Sequence, residues 1–412
     1  MNRRLSRRRL LGWAGAGAAL AGTGAVTACS AEAAPVAERV VPFRGDRQAG
    51  IVTPAQDRLH FVALDLTTGD RERVRALLQK WTTAAERMTA GAETAPGGAT
   101  GGNPDSPPAD TGEALGLPAT SLTLTFGVGP GFFDKLGLDP ALRPPGLADL
   151  PHFTLDQLDP ALSGGDLCIQ ACADDPQVAV HAVRNLVRIG FGTTAVRWSQ
   201  LGFGRTSSTS TTQDTPRNLF GFKDGTRNLK AEDPAAVDEH VWVSDGADAK
   251  AGWLTGGTYL VARRINMTIE IWDRQPLREQ EKVIGRTKAE GAPLSGGTEF
   301  SQPDFALTGR GDEPLVATDA HVRLVHPDQN GGVRMLRRGY NFVDGSNRLG
   351  RMDAGLFFLA FVCDPRSHFI PIQTRIGVGD AMSEYLQHTG SALFAVPPGV
   401  TEGEYVGQAL FA

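Results

Sequence analysis

The chain has 412 residues, 46 acidic against 41 basic side chains for a formal net charge of −5, and only four cysteines. That length supports a large core, expected as two domains in intimate contact. The acidic balance, with no basic face evident in the sequence, disfavours nucleic-acid binding, and so sparse a set of cysteines argues against a disulfide framework.

The N-terminus reads as an export signal. Ser6-Arg7-Arg8-Arg9-Leu10-Leu11 fits the twin-arginine pattern, and the Ala/Gly-rich stretch from Leu10 to about Val26 is too short and glycine-rich for a membrane span. Residues 1–29 are therefore expected to be a signal peptide handled by the twin-arginine machinery, which carries folded proteins. The product is expected in the periplasm, the cell envelope or the medium. Val26-Thr27-Ala28-Cys29 also reads as a lipobox that would lipidate Cys29 and anchor the chain; simple cleavage near Ala31–Ala34 is the competing reading. Removing the five arginines before Cys29 takes Lys+Arg from 41 to 36 against 46 Asp+Glu, a net of −10.

After a polar lead-in over residues 30–56, Leu59–Leu66 has the apolar density of a buried strand. Val74, Leu77, Leu78 and Trp81 recur at i, i+3, i+4 and i+7, predicting a helix over about 70–88. Residues 91–118, rich in Gly, Pro, Ala and Thr, read as a flexible excursion. Strands are expected at Ser121–Val128, Asp166–Ala173 and Thr193–Trp198, with Asp175-Pro176 starting a helix that ends near Gly190. Cys168 and Cys172 fall in the second of these strands, as buried small hydrophobes rather than a metal pair. The second half repeats the order: strands at Thr258–Met267, Val333–Tyr340 and Leu356–Cys363, a helix over Asp273–Arg286, and another started by Asp364-Pro365. The repeated strand-helix-strand-strand-helix-strand order predicts an α+β fold of two ferredoxin-like domains with antiparallel sheets, at 57–215 and 256–412, joined by a linker over 216–255.

The linker holds Gly221-Phe222-Lys223-Asp224-Gly225-Thr226-Arg227-Asn228, a glycine-punctuated turn with one carboxylate. Asp-Gly alone is ordinary turn chemistry. Downstream stand Asp319-Ala320-His321-Val322-Arg323-Leu324 and Met335-Leu336-Arg337-Arg338-Gly339-Tyr340. In this order the three segments resemble the G-x-x-D-G, D-[SA]-H-[VI]-R-L and L-R-R-G-Y motifs of the dye-decolourising (DyP-type) haem peroxidases. The likeness extends over about residues 55–400 and points to the secreted twin-arginine subgroup, related to iron-uptake-associated deferrochelatases.

The resemblance implies one haem b per chain, in the C-terminal domain near the domain interface (the dimeric α+β barrel type of fold). No Cys-x-x-Cys-His occurs, so attachment would be non-covalent. Among the eight histidines the resemblance singles out His321 as proximal iron ligand. Asp380 is implied as its hydrogen-bonding acid, with a helix-start cap as the alternative. Asp224 is implied as the distal acid–base group and Arg337 as the distal cation, with Arg338 the fallback because strand neighbours face opposite ways.

Gly225, Thr226, Arg227, His326, Pro327 and Asp328 are the implied haem contacts, with His326 read as a haem-edge or structural residue. Here the chain departs from its relatives, many of which have Asn-Pro-Arg where it has His326-Pro327-Asp328. An aspartate there would repel a propionate, so Arg227 or Arg323 would have to supply the cation. Gly339 stands where some relatives carry Asn. Tyr340 is the candidate surface relay for bulky donors, and Asp344, in a second Asp-Gly, is read as an ordinary turn residue. The expected activity is reduction of hydrogen peroxide with one-electron oxidation of bulky phenolic or dye-type donors, favoured by mildly acidic conditions. The alternatives are release of iron from haem with the porphyrin intact, and non-enzymatic haem binding. Homo-oligomerisation is left open.

Overall fold

The computed structural model describes residues 39–247 and 251–411. The expected signal peptide, Cys29 and the alternative cleavage region lie outside the described residues. Among the described residues no helix is long and apolar enough to cross a membrane.

The first repeat runs β1 (Arg58–Leu66), α1 (Arg71–Thr89), β2 (Thr123–Val128), α2 (Pro130–Lys135), β3 (Leu167–Ala173), α3 (Pro176–Ile189) and β4 (Thr194–Arg205). After α4 (Pro234–His240), the second runs β5 (Thr258–Met267), α5 (Ile269–Trp272), α6 (Leu277–Ile284), α7 (His321–Leu324), β6 (Leu336–Arg337), β7 (Tyr340–Ser346), β8 (Met352–Val362), α8 (Pro365–His368), α9 (Ile370–Gly379) and β9 (Leu386–Val396). Every named strand pairing is antiparallel. The orders β4-β1-β3-β2 and β9-β5-β8-β7 place the strands of the two repeats equivalently, as ferredoxin-like sheets. The sheets join edge to edge, through Val128↔Ala395 on one side and Phe203↔Asn341 with Arg205↔Tyr340 on the other. The β5–β8 pairing then closes the ring of strands.

Strand alternation divides the core in two. Leu59, Phe61 and Ala63 point into the barrel, where Phe61 stacks on Trp198 (centroids 5.3 Å apart) and meets Phe357 and Phe394. Val62, Leu64 and Leu66 face the helices, against Val74, Trp81 and Leu186. A strand buried on both faces has no polar alternation, which explains the apolar run Phe61–Leu64 at the centre of β1. Cys168 and Cys172 lie in the barrel interior, where burial pushes the Cys168 thiol up. The helix starts follow their caps: Asp70 accepts from the Glu72 and Arg73 amides, Asp175 from Gln177 and Asp364 from Arg366.

Four expectations are corrected. The helix expected over Asp273–Arg286 is shorter, Leu277–Ile284, with Pro276 at its N-cap and Gly285 ending it, while a separate short helix, Ile269–Trp272, precedes the expected range. The strand expected at Val333–Tyr340 is only Leu336–Arg337, and the chain resumes pairing at Tyr340. Asp344 is no turn residue: it lies in β7 and takes Arg264 Nη2 at 2.9 Å, in a network with Asp353 and Gln200. The 91–118 segment is pinned rather than loose, since buried Asp110 accepts from Thr94 N at 2.9 Å and pairs with His181 Nε2 on α3 at 2.8 Å.

Two histidines in the strands make stability depend on pH. Burial lowers His60 and His388 to about 4. Each is neutral in the fold, whereas the unfolded chain binds a proton near the ordinary imidazole value of about 6.5. Their folded values are depressed, so the stability is fully present above about pH 6.5 and is lost as pH falls toward about 4. The cost reaches roughly 3 kcal/mol for each buried imidazole. Urea denaturation across this window should show stability falling with acid, and a His60→Leu/His388→Leu protein should show a shallower fall. Equal slopes would contradict the assignment.

Candidate functional site

One cavity of about 260 Å³ lies against the second sheet. Its apolar floor is Ile265 and Met267 of β5, Leu356 and Phe358 of β8, and Leu386 of β9. Helices α7 and α9 form one wall and the linker the other. The equivalent face of the first sheet is filled by α1 and α3, long helices whose Trp81 and Leu186 pack directly on it. In the second repeat the helices are short and broken, which leaves the space open.

The linker wall carries Asp224. Residues 216–224 turn back on themselves, with Asp224 N donating to Pro216 O (2.9 Å) and Asn218 N to Phe222 O (3.1 Å). Gly225 has φ +81°, and a Cβ there would meet Ser207 Cα at 2.8 Å, so only glycine permits this approach. Asp224 Oδ1 accepts from Arg337 Nη1 at 3.0 Å and Oδ2 from Asn218 Nδ2 at 3.1 Å. Arg337 lines the cavity, whereas Arg338 points away, wholly buried and donating to Thr53 O and Gln56. Gly339 also lines the cavity, and a Cβ there would meet Thr206 Oγ1 at 2.7 Å, which leaves no room for an asparagine. Thr226 donates to Glu299 Oε1 (3.1 Å), and Lys223 pairs with the same carboxylate.

The opposite wall carries His321 at the first position of α7. Gly285, left-handed at the end of α6, packs so closely that a Cβ would meet Val322 Cγ1 at 2.5 Å; this seats α7. His321 Nδ1 lies 2.6 Å from Asp380 Oδ2, while Asp380 Oδ1 accepts from Met382 N at 2.9 Å. The two readings of Asp380 therefore hold together, one oxygen for the imidazole and one for the helix start. Burial by itself would lower His321, but the charge and hydrogen bond of Asp380 outweigh it and the imidazole is raised. No hydrogen bond engages Nε2 among the described residues, which leaves that nitrogen for a ligand.

A cationic edge completes the cavity. Arg227, Arg286, Arg334 and His326 all line it. Burial, then the charge of Arg227, lowers Arg286; burial is also the leading cause for Arg334 and His326. Arg286 Nη2 and His326 Nε2 are buried without a hydrogen-bond partner, a costly state unless an anion or acceptor meets them. Arg286 and Arg334 had no signal in the sequence, since neither belongs to a motif. Asn218, six residues before Asp224, could have been found only as a polar side chain in the same turn.

Three expected roles are corrected by placement. Arg323 donates to Val316 O at 3.0 Å and covers Phe305, and it does not line the cavity. Asp328 does not line the cavity: its carboxylate is 74% exposed and lies 3.4 Å from His326 Nδ1, and its amide donates to the same nitrogen at 3.3 Å. Pro327 lines the cavity beside it. Tyr340 is fully buried in the barrel and cannot serve as a surface relay.

Comparison with known proteins matches this architecture over most of the chain. The model of the Dyp-type peroxidase N-terminal domain fits residues 48–204, and that of the C-terminal domain fits residues 215–401. The chain is 39% identical over 374 residues to a dye-decolorizing peroxidase of Thermobifida fusca, covering 88% of this chain and 83% of that one. It is 36% identical over 420 residues to a deferrochelatase of Escherichia coli, covering 98% and 96%. Among solved structures, ferric DtpA from Streptomyces lividans superposes with a TM-score of 0.82 at 41% identity, covering 91% of this chain and 98% of that one. By sequence, fold and relatives alike, the chain belongs to the Dyp-type peroxidase family.

Proposed function

We propose that the chain holds one non-covalent haem b in this cavity, with His321 as its axial ligand, and reduces hydrogen peroxide at the expense of bulky aromatic donors. The observation that carries the reading is the opposition, across one cavity, of a carboxylate-backed imidazole and a carboxylate–guanidinium pair. The residues suit a porphyrin. The floor is apolar, the imidazole has a free Nε2, and the orphaned nitrogens of Arg286 and His326 with Arg227 and Arg334 suit two carboxylates at one edge.

Bound haem would supply the redox chemistry that the side chains lack, two-electron oxidation by peroxide and one-electron oxidation of donors. The chain does the rest. Asp224 accepts the proton of one peroxide oxygen and returns it to the other, and it is held for this by Arg337 and Asn218. Arg337, always charged and forked, stabilises negative charge as it develops on oxygen. Asp380 keeps the His321 ring in one orientation by taking Nδ1.

A second reading follows from the deferrochelatase of Escherichia coli, alike over 98% of this chain: iron is released from haem with the porphyrin intact. Asp224→Asn should keep haem and lower the rate of peroxide reduction by about 100-fold or more. Product analysis separates the readings, since oxidised donor supports the first, and free iron with protoporphyrin supports the second. An Asp224→Asn protein as fast as the parent would overturn the acid–base role.

The N-terminal pattern Ser6-Arg7-Arg8-Arg9-Leu10-Leu11 supports export by the twin-arginine route, with Cys29 a lipidation point or cleavage near Ala31–Ala34. Replacing Arg7 and Arg8 with lysine should retain the protein inside the cell, as read by fractionation; unchanged export would contradict the route.

A further inference from the structure

The Asp224–Arg337 pair is not held by itself. Asp224 has two carboxylate oxygens, and one guanidinium contact leaves the carboxylate plane free to turn. Asn218 removes that freedom. Its Nδ2 donates to Oδ2 at 3.1 Å while Arg337 Nη1 donates to Oδ1 at 3.0 Å, so the plane is gripped at both ends. Asn218 is itself fixed, because its Oδ1 accepts from Phe220 N at 3.0 Å and its backbone bonds to Phe222 and Gly221. An amide grips the carboxylate without adding a second charge, and the remaining lone pairs stay available to the cavity.

Arg337 has the complementary problem. Its strand, β6, is two residues long and paired only to β8. A two-residue strand with one partner is a poor base for a long side chain. Asn228 supplies the missing edge. Its Oδ1 accepts from Arg337 N at 2.8 Å and its Nδ2 donates to Arg337 O at 2.9 Å, the reciprocal exchange that a peptide group of a second strand would make. The same Nδ2 reaches Ser208 O at 3.0 Å, and Asn228 is 4% exposed. One turn therefore delivers the carboxylate and, four residues later, an anchor for its arginine.

We infer that Asn218 and Asn228 are positioning residues of the distal pair, Asn218 by holding the second oxygen of Asp224 and Asn228 by holding the backbone of Arg337. The inference rests on the peroxidase reading above.

The test uses the haem-loaded full chain, comparing the bimolecular rate with peroxide across pH and the affinity for cyanide in the parent, Asn218→Asp, Asn218→Ala, Asn228→Ala and Asn228→Asp. Loss of the donor on Asp224 should move the acidic limb of the pH–rate profile upward, by about one pH unit in Asn218→Asp and less in Asn218→Ala. Asn228→Ala should leave that limb in place and lower both the peroxide rate and cyanide affinity by about tenfold at every pH. Asn228→Asp keeps the acceptor for Arg337 N and provides the readout if the alanine variant does not fold. Haem-loaded variants with the parental profile and affinity would overturn the inference, as would loss of haem from both Asn228 variants, which would mark a folding role. A parent that carries haem but ignores peroxide would instead overturn the functional reading beneath it.

Discussion

The hydrogen-bonded ion pair between Arg337 Nη1 and Asp224 Oδ1, at 3.0 Å, is the constraint around which the site is arranged. It ties the linker between the repeats to the sheet of the second. Its worth is geometric rather than energetic. The two side chains remain 29% and 18% exposed, and a pair in that setting contributes little net stability once its desolvation is counted. What it does is fix where a carboxylate and a guanidinium stand relative to each other, above a wall that carries an imidazole. Removing Arg337 would leave Asp224 held by Asn218 alone, and removing Asp224 would leave the Arg337 guanidinium without its carboxylate.

Duplication of one supersecondary order explains where the cavity lies. In the first repeat, 19-residue α1 and 14-residue α3 cover the sheet, and the space beneath them is filled by core side chains. In the second, an eight-residue α6 and a ten-residue α9 cover the corresponding face, and Pro276 and Pro371 limit how far helix can extend there. The barrel interior, common to both repeats, is packed with Phe61, Trp198, Phe357 and Phe394 and offers no room. Chemistry is thereby confined to the outer face of one sheet, at the linker, where ligands commonly bind.

Most of the fold was legible in the residues because its signals are local. The apolar run of β1, the helical spacing of Val74 to Trp81 and the Asp-Pro starts of α3 and α8 each report a short-range constraint, and each holds. The failures are tertiary. Leu386–Val396 forms a central strand that no local pattern announces, although the repeat order requires it. Asp344 resembles a turn residue by its Asp-Gly, and only the distant Arg264 decides otherwise. The motif residues Asp224, His321 and Arg337 meet in one cavity, but the groups that hold them come from elsewhere in the chain. Asn218, Arg286 and Arg334 carry no signature of their own. The roles expected of Tyr340 and Arg323 fail because strand and helix direction, not sequence proximity, sets what a side chain reaches.

The central claim is that the imidazole of His321, backed by Asp380, holds a single haem beneath the Asp224–Arg337 pair. It is tested most directly by titrating haem into the haem-free parent and a His321→Ala protein while following the Soret band. The account predicts saturation at one equivalent in the parent, and a displaced spectrum with weakened binding in His321→Ala. An unaltered spectrum and affinity in His321→Ala would contradict it.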